Sequence, residues 1–523
     1  MRYLISFFLI FSICITSAQS VQSVSKKDVS KDVKQDWHNL DYKEDKIYGT
    51  SSNRVFSELI QNKKPKKIIV VAVIDSGVDW KHEDLSMHMW VNPGEIAGNS
   101  KDDDENGYTD DVHGWNFLAK NDGTDIQFEN LEATRVLREG KELKREGKNM
   151  KPWMTDDVMQ MATEIYNRNV ADFKGMEQLS DIYLAVDSII TKESGNPEWT
   201  FDDALALPHD ENPMESMHKA IKRMKLFGIT KADLKEISET ANKFEEYYLN
   251  YDFITVEDRS DSKSIYGNNH YEGPDAIHGT HVAGLIAADR NNNIGARGVA
   301  SDVVEIMSIR AVPDGDERDI DVANAIIYAV DNGANIINMS FGKGLSPMEE
   351  LVNDALNYAA DNNVLVVHAA GNDSENTDIV SNYPNPDLGN GKRAATYLTI
   401  GASAISSKKD VVASFSNYGK SEVDIFSPGH DVYSTVPNNE YKLLSGTSMA
   451  APVASGVAAL VWAYHPELSA LELKQILLDS STKLTKKKVK KPGDKKKVRF
   501  GELSATGGII NAYSAFQMAS SKS

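Results

Sequence analysis

The sequence predicts an α/β fold, a doubly wound and mostly parallel β-sheet with helices on both faces, together with an inserted α-helical subdomain. Three observations carry this prediction. Runs of β-branched residues recur without polar alternation, as strands covered on both faces require. Helical stretches such as Val322 to Asn332 separate those runs, which is the alternation of parallel βαβ units. Residues 125–268, by contrast, are rich in Glu, Lys, Met and Leu at helical spacing and carry almost no strand signal.

The chain opens with MRYLISFFLIFSICITSAQS, where one Arg precedes an apolar run from Leu4 to Ile15 and small residues follow at Thr16 and Ala18. This is the pattern of a signal peptide over residues 1–18, cleaved after Ala18. The run is too short to span hydrocarbon and no later segment reaches about 18 apolar residues, so no transmembrane anchor is expected. The mature protein is expected to be secreted, extracellular or periplasmic. The only cysteine, Cys14, leaves with that peptide, so the mature chain has no disulfide. Bound calcium is then one physical means by which an exported chain resists unfolding. A formal charge of −20 argues against nucleic acid as a partner.

Residues 19–36 are polar and read as a flexible leader, too short for a folded inhibitory prodomain. From Lys66 the text becomes KKIIVVAVIDSG, a buried strand ending in turn residues. Similar runs follow as VVEIMSI from Val303, NIINMS from Asn335, VLVVHAA from Val364, YLTIGA from Tyr397 and VDIF from Val423. They assign residues 37–124 and 269–517 to one sheet domain and leave 518–523 as a tail. Active residues of such sheets belong at the carboxyl ends of strands, and Asp75, Ser340 and Asn372 each sit just past one. Within the insertion, Thr230 and Asp233 have the spacing of a capping box, and Leu234, Ile237, Ala241, Phe244 and Tyr248 fall on one helical stripe.

Three segments carry chemistry: DSGVD from Asp75, HGTHVAG from His278 and GTSMAAP from Gly446. A serine hydroxyl becomes nucleophilic at neutral pH when a neutral imidazole takes its proton, and a carboxylate must hold that imidazole in one tautomer. Together the segments resemble the subtilisin-like serine peptidases, the subtilases, in the family's order of acid, base and nucleophile. The resemblance implies hydrolysis of proteins or peptides, with Ser448 as nucleophile, His278 as general base and Asp75 as the residue that orients it. The small residues around Ser448 suit a buried helix whose N-terminus supplies one donor to an oxyanion. The resemblance gives the second donor to the Asn372 amide in HAAGND. It also makes Ser340, Phe341 and Gly342 of NMSFGKG a substrate-binding strand, with Ala370 and Gly371 beside it.

His281 shares a helix face with His278 and is read as structural, since the HxxH pair lacks the glutamate of zinc peptidases. Acidic residues Asp314, Asp316, Glu317 and Asp319 raise a preference for basic side chains upstream of the cut, against the plainer reading that they are merely solvated. A non-catalytic binding protein is disfavoured because no motif residue is replaced. An esterase is disfavoured because Gly446 to Pro452 lacks the Gly-x-Ser-x-Gly elbow.

DDDENGYTDD places oxygen ligands at alternate positions with Gly107 at the tight turn, so Asp102, Asp104, Asn106 and Asp110 are candidate calcium ligands. The twelfth position is His113 rather than a glutamate, and Asp111 is available to close the shell. The resemblance implies a second calcium site at Asp84 of HEDL and Asn292 of NNNIGARG. It covers about Trp37 to Gly123 and Asn269 to Ala515 and leaves the insertion out, although both ends of the insertion join loops expected at the cleft. A lid, an exosite and a packing platform all remain open for it, and its place beside the cleft suggests that it restricts access. TKKKVKKPGDKKKVRF reads as a basic hairpin turning at Pro492 to Asp494, either a solvated protrusion or a surface for an anionic envelope.

Overall fold

A computed structural model describes residues 31–120, 122–207, 212–226, 229–256, 265–389, 391–406 and 408–522. The expected signal peptide with Cys14, and leader residues 19–30, lie outside them. The chain divides into two compact units, whose described parts lie within Ala133–Ile254 and within Val24–Glu132 with Thr255–Ser523.

The strands of the larger unit are β1 (Ile69–Asp75), β2 (Gly114–Asn116), β3 (Val304–Arg310), β4 (Ile336–Met339), β5 (Leu365–Ala369), β6 (Tyr397–Ser403), β7 (Ile425–Pro428), β8 (Val432–Val436), β9 (Glu440–Leu444), β10 (Thr482–Lys483), β11 (Lys488–Lys490), β12 (Lys497–Arg499) and β13 (Gly508–Ile509). One sheet has the order β10-β13-β7-β6-β5-β4-β1-β3-β2. Its pairs are parallel except β10 with β13. β8–β9 and β11–β12 are separate antiparallel hairpins.

The smaller unit is helical: α1 (Glu132–Arg145), α2 (Asp156–Ser194), α3 (Phe201–Ala206), α4 (Asn212–Leu226) and α5 (Lys231–Lys243). Its core gathers Tyr183, Ile190, Trp199, Phe201, Ile221, Met224 and Leu234. The capping box forms, with Thr230 and Asp233 satisfying each other's backbone N–H. On the stripe that follows, Leu234 and Ala241 are buried with Ser238 between them, and Ser238 hydrogen-bonds Ser180 of α2 at 2.7 Å. This unit is narrower than the 125–268 expected. Residues 125–132, 255–256 and 265–268 belong to the larger unit, where Glu129 N–H donates to Asp314 and Asn268 pairs with Asn116.

The larger unit adds α6 (Ile277–Ala287), α7 (Asp319–Asp331), α8 (Glu349–Asp361), α9 (Thr447–Tyr464), α10 (Ala470–Asp479) and α11 (Ala512–Lys522). Val71 and Val73 of β1 pack with α6, α9 and α11, whereas Ala72 and Ile74 pack with α7 and α8. Alternate residues of one apolar strand thus feed two cores, and each buried Val or Ile contributes about 1.5–3 kcal/mol. Helix α9 is long and apolar enough to cross a membrane, but it is 94% buried inside the unit.

Two expectations for the ends change. The leader is helical over Lys31–Asp36, and Asp36 accepts hydrogen bonds from Asn39 and Asn53. The tail from 518 continues α11, whose Ala519 is buried, because Phe516 and Ala519 complete the face that packs on the core.

Candidate active site

Asp75 ends β1 between two parallel neighbours, and its main-chain carbonyl accepts from Ala311 and Val312. Its carboxylate is 1% exposed. Oδ1 accepts from Ser76 N–H at 2.8 Å and from His278 Nδ1 at 2.7 Å, which fixes the imidazole tautomer with its proton on Nδ1. His278 lies in the first turn of α6. Gly279 explains how that turn comes so close: a Cβ there would fall 2.1 Å from Gly77 O and 3.2 Å from the Asp75 Cβ. Burial pulls the His278 pKa down, but the Asp75 charge and hydrogen bond, helped by Asp275, overcome it and raise the pKa above 6.5. The His278 side chain is 40% exposed, which leaves the edge opposite Asp75 to solvent. His281 takes the structural place expected for it. It is buried, its Nε2 faces Lys442 O at 3.1 Å, and burial pushes its pKa down to about 3, so it is neutral.

Ser448 is the second residue of α9. Pro452 has no N–H, so the Ser448 carbonyl four residues earlier has no helical partner. The Ser340 hydroxyl takes that place, donating to Ser448 O at 2.9 Å, and the Ser448 hydroxyl donates back to Ser340 O at 2.9 Å. Ser340 is in turn held by Asn338, which Ser455 of α9 also reaches. The end of β4 and the start of α9 are therefore laced together by hydroxyls, those of Ser340 and Ser455 buried and that of Ser448 half-buried. Among the described residues no hydrogen bond joins Ser448 to His278.

Asn372 follows β5, and its Oδ1 accepts from Thr447 N–H at 2.8 Å and from the Thr447 hydroxyl at 3.1 Å. The amide oxygen is thus pinned and Nδ2 is turned the other way. A single point, where a Gly446 Cβ would lie, is 3.5 Å from Ser448 N, 3.6 Å from Asn372 Nδ2 and 3.6 Å from Ser448 Cβ. Two N–H groups therefore border one small space beside the serine.

Ser340, Phe341 and Gly342 lie together after β4, opposite Ala370 and Gly371 after β5. Gly371 has φ +100 and Gly342 lies against Asn382, where a Cβ would fall 2.8 Å from its amide oxygen. Sequence reasoning passed over His368 of β5, a histidine in an otherwise apolar strand. Its Nε2 donates to Phe341 O at 2.7 Å, and burial pushes its pKa down to about 4, so it is a neutral donor fixing that segment. Lys343 was also missed: it is buried and bonds Glu132, Asp319 and Glu317 O at 2.6, 2.8 and 2.7 Å. Of the acidic loop, Asp319 is thus occupied by Lys343, and Glu317 is buried with its pKa pushed up by desolvation to about 7. Both carboxylates are buried, Asp319 against Lys343, so neither is part of the solvated surface considered from sequence.

The proposed calcium loop is rearranged. Asp102 accepts from Asn106 and Gly107 N–H, and Asp110 from Gly98, Asn99 and Ser100 N–H, so both carboxylates satisfy tight turns. Asp104 instead meets Glu95 and Asp111, with oxygens within 4.8 Å of one another. Asn106 donates its amide to Asp104 and Asp111. Burial pushes the Asp111 pKa up to about 6, and the Asp104 charge adds to it, a cost that a hard divalent cation would relieve. The donor set of Glu95, Asp104 and Asp111 therefore fits calcium, beside the turns that hold Asp102 and Asp110. Asp84 and Asn292 do meet, through an amide hydrogen bond of 2.5 Å, and Ala296 N–H closes the other Asp84 oxygen.

Relatives include the thermophilic serine proteinase of Bacillus sp. (strain AK1), 39% identical over 207 residues, 38% of this chain and 47% of that one. Thermitase of Thermoactinomyces vulgaris is 41% identical over 187 residues, 35% of this chain and 60% of that one. Subtilisin BL of Lederbergia lenta is 38% identical over 208 residues, 40% and 71% of the two chains. The chain spans about half the length of the first two relatives. The model of the subtilase family matches residues 66–501, a span that takes in the strand end at Asp75 and the helices that begin beside His278 and Ser448. The chain belongs to the subtilase family.

Proposed function

We propose that this protein is an exported serine endopeptidase that cleaves peptide bonds in proteins through an acyl-enzyme. The observation that carries the reading is the buried Asp75 carboxylate bonded at 2.7 Å to a half-exposed His278, on a helix packed against the one whose first turn holds Ser448. Attack joins Ser448 Oγ to the peptide carbonyl carbon while His278 Nε2 takes the hydroxyl proton. The imidazolium formed is stabilised by Asp75. Asn372 Nδ2 and Ser448 N–H receive the negative oxygen. His278 then passes its proton to the leaving amine as the C–N bond breaks, and water, deprotonated by the same imidazole, releases the acyl group. The substrate lies extended along Ser340 to Gly342, opposite Ala370 and Gly371, by strand addition.

The N-terminal sequence supports export. Calcium held by Glu95, Asp104 and Asp111, with a second ion at Asp84 and Asn292, would supply structural stability and take no part in the steps above. The helical unit we assign to substrate selection, favouring particular polypeptides over bulk protein.

Purified protein is expected to hydrolyse casein and to be blocked by a serine-directed inhibitor. Ser448→Ala is expected to lower turnover about 10⁶-fold, the order measured for this substitution in subtilisin, a family member. A chelator is expected to lower the melting temperature of the wild type. Casein hydrolysis retained by Ser448→Ala would remove the assignment.

A further inference from the structure

Residues Lys486 to Arg499 hold nine cations and one carboxylate, Asp494, in a chain whose formal charge is −20. The register of β11 with β12 sets Lys488 opposite Arg499 and Lys490 opposite Lys497. Val489 is buried and Val498 half-buried against the core, so these four cations share the other face of the hairpin. Like charges placed opposite one another across strands are destabilising. Among the described residues one of the four, Lys490, has a carboxylate partner, Asp410 at 2.6 Å. Folding therefore maintains a concentrated positive face that its own fold does not neutralise.

The hairpin also has a definite address. At its turn, Gly493 N–H donates to Ser414 O, and a Cβ on Gly493 would fall 2.8 Å from the Ser374 Cβ. Ser374 is two residues past Asn372, and its hydroxyl donates to the same Ser414 carbonyl. The carboxylates of Asp373 and Glu375 flank that contact and remain outnumbered.

We infer that the β11–β12 hairpin is a docking face at the rim of the cleft for acidic stretches of polypeptide substrates. The inference rests on the peptidase reading above. Alternate side chains on a strand repeat about every 6.5–7 Å, so Lys488 with Lys490 and Lys497 with Arg499 match the carboxylates on one side of an extended acidic chain. A polypeptide is favoured over a lipid surface because Val489 and Val498 face the core and the turn at Pro492 to Asp494 offers no large apolar side chain.

The test uses peptides with one scissile sequence and flanks of either four Glu or four Gln, placed on the amino or the carboxyl side. At low salt one Glu-flanked peptide is expected to exceed its Gln counterpart about tenfold in kcat/KM, the low end of electrostatic steering. The advantage is expected to disappear at about 0.5 M NaCl, where charges are screened within a few ångströms. The Lys488→Ser/Lys497→Ser/Arg499→Ser variant is expected to lose it while cleaving the Gln peptides as before, which also reports that the variant folds. Equal cleavage of Glu and Gln peptides, or an advantage that survives both salt and the variant, overturns the inference. Binding of dextran sulfate by the hairpin without any peptide preference also overturns it, in favour of an anionic envelope. Cleavage of no peptide at all refutes the peptidase reading instead, a separate result.

Discussion

In the sheet unit, backbone meets backbone. A Cβ at Gly114 would fall 1.8 Å from Ser308 O, and one at Gly279 2.1 Å from Gly77 O, so strands and helix starts are seated at fixed separations. In the helical unit the core is made by side chains alone, with Trp199, between α2 and α3, held by Asp187 at 2.8 Å and by Lys231 over its ring at 4.5 Å. The first kind of packing places reacting atoms to within tenths of an ångström. The second tolerates change in volume at a cost in stability. The contrast explains why every motif residue of the chemistry lies at strand ends or helix starts of the sheet unit and none in α1 to α5.

Three measurements break or sharpen that contrast. The largest effect is expected from Trp199→Ala. Removing a fully buried tryptophan costs about 3–5 kcal/mol, enough to unfold a unit of this size. Differential scanning calorimetry is expected to show a lowered transition for the helical unit, while hydrolysis of a short peptide persists. Loss of both together would make the two units one cooperative body.

Next comes Asn372→Gly, expected to reduce kcat about 10²–10³-fold with KM and melting temperature nearly unchanged, the loss measured for such a donor in subtilisin. A fall in melting temperature with kcat preserved would reduce Asn372 to a cap on Thr447.

The smallest effect is the acid limb of the pH profile. Only neutral His278 accepts the serine proton, and its pKa is raised above 6.5, so kcat/KM is expected to fall about tenfold per pH unit below a midpoint above 6.5. Stability has the opposite sign: the raised folded pKa stabilises the fold below pH 6.5, and that contribution is lost as pH rises through the folded value. Trp199→Ala is expected to leave the midpoint in place. A midpoint below 6.5 would mean that burial outweighs Asp75.

Much of this was legible in the sequence, for physical reasons. Strands buried on both faces must be continuously apolar, so β1 and β3 to β6 stand out, and parallel strands need crossover helices, which sets the architecture. Asp75, His278, Asn372 and Ser448 sit in short motifs because glycines and small residues are required wherever backbones touch. Tertiary structure alone decided the rest. Pro452 frees a carbonyl, but only the folded chain brings Ser340 to it. A lone histidine in LVVHA carries no sign that Phe341 O awaits it across the strand gap. Asp102 and Asp110 have the spacing of metal ligands and accept turn N–H groups, whereas the carboxylates that converge are Glu95, Asp104 and Asp111, of which Glu95 carries no such spacing. Local spacing fixes which atoms are available, and long-range packing fixes which of them meet, because a hydrogen bond or an ion depends on distances that neighbouring residues in the chain do not set.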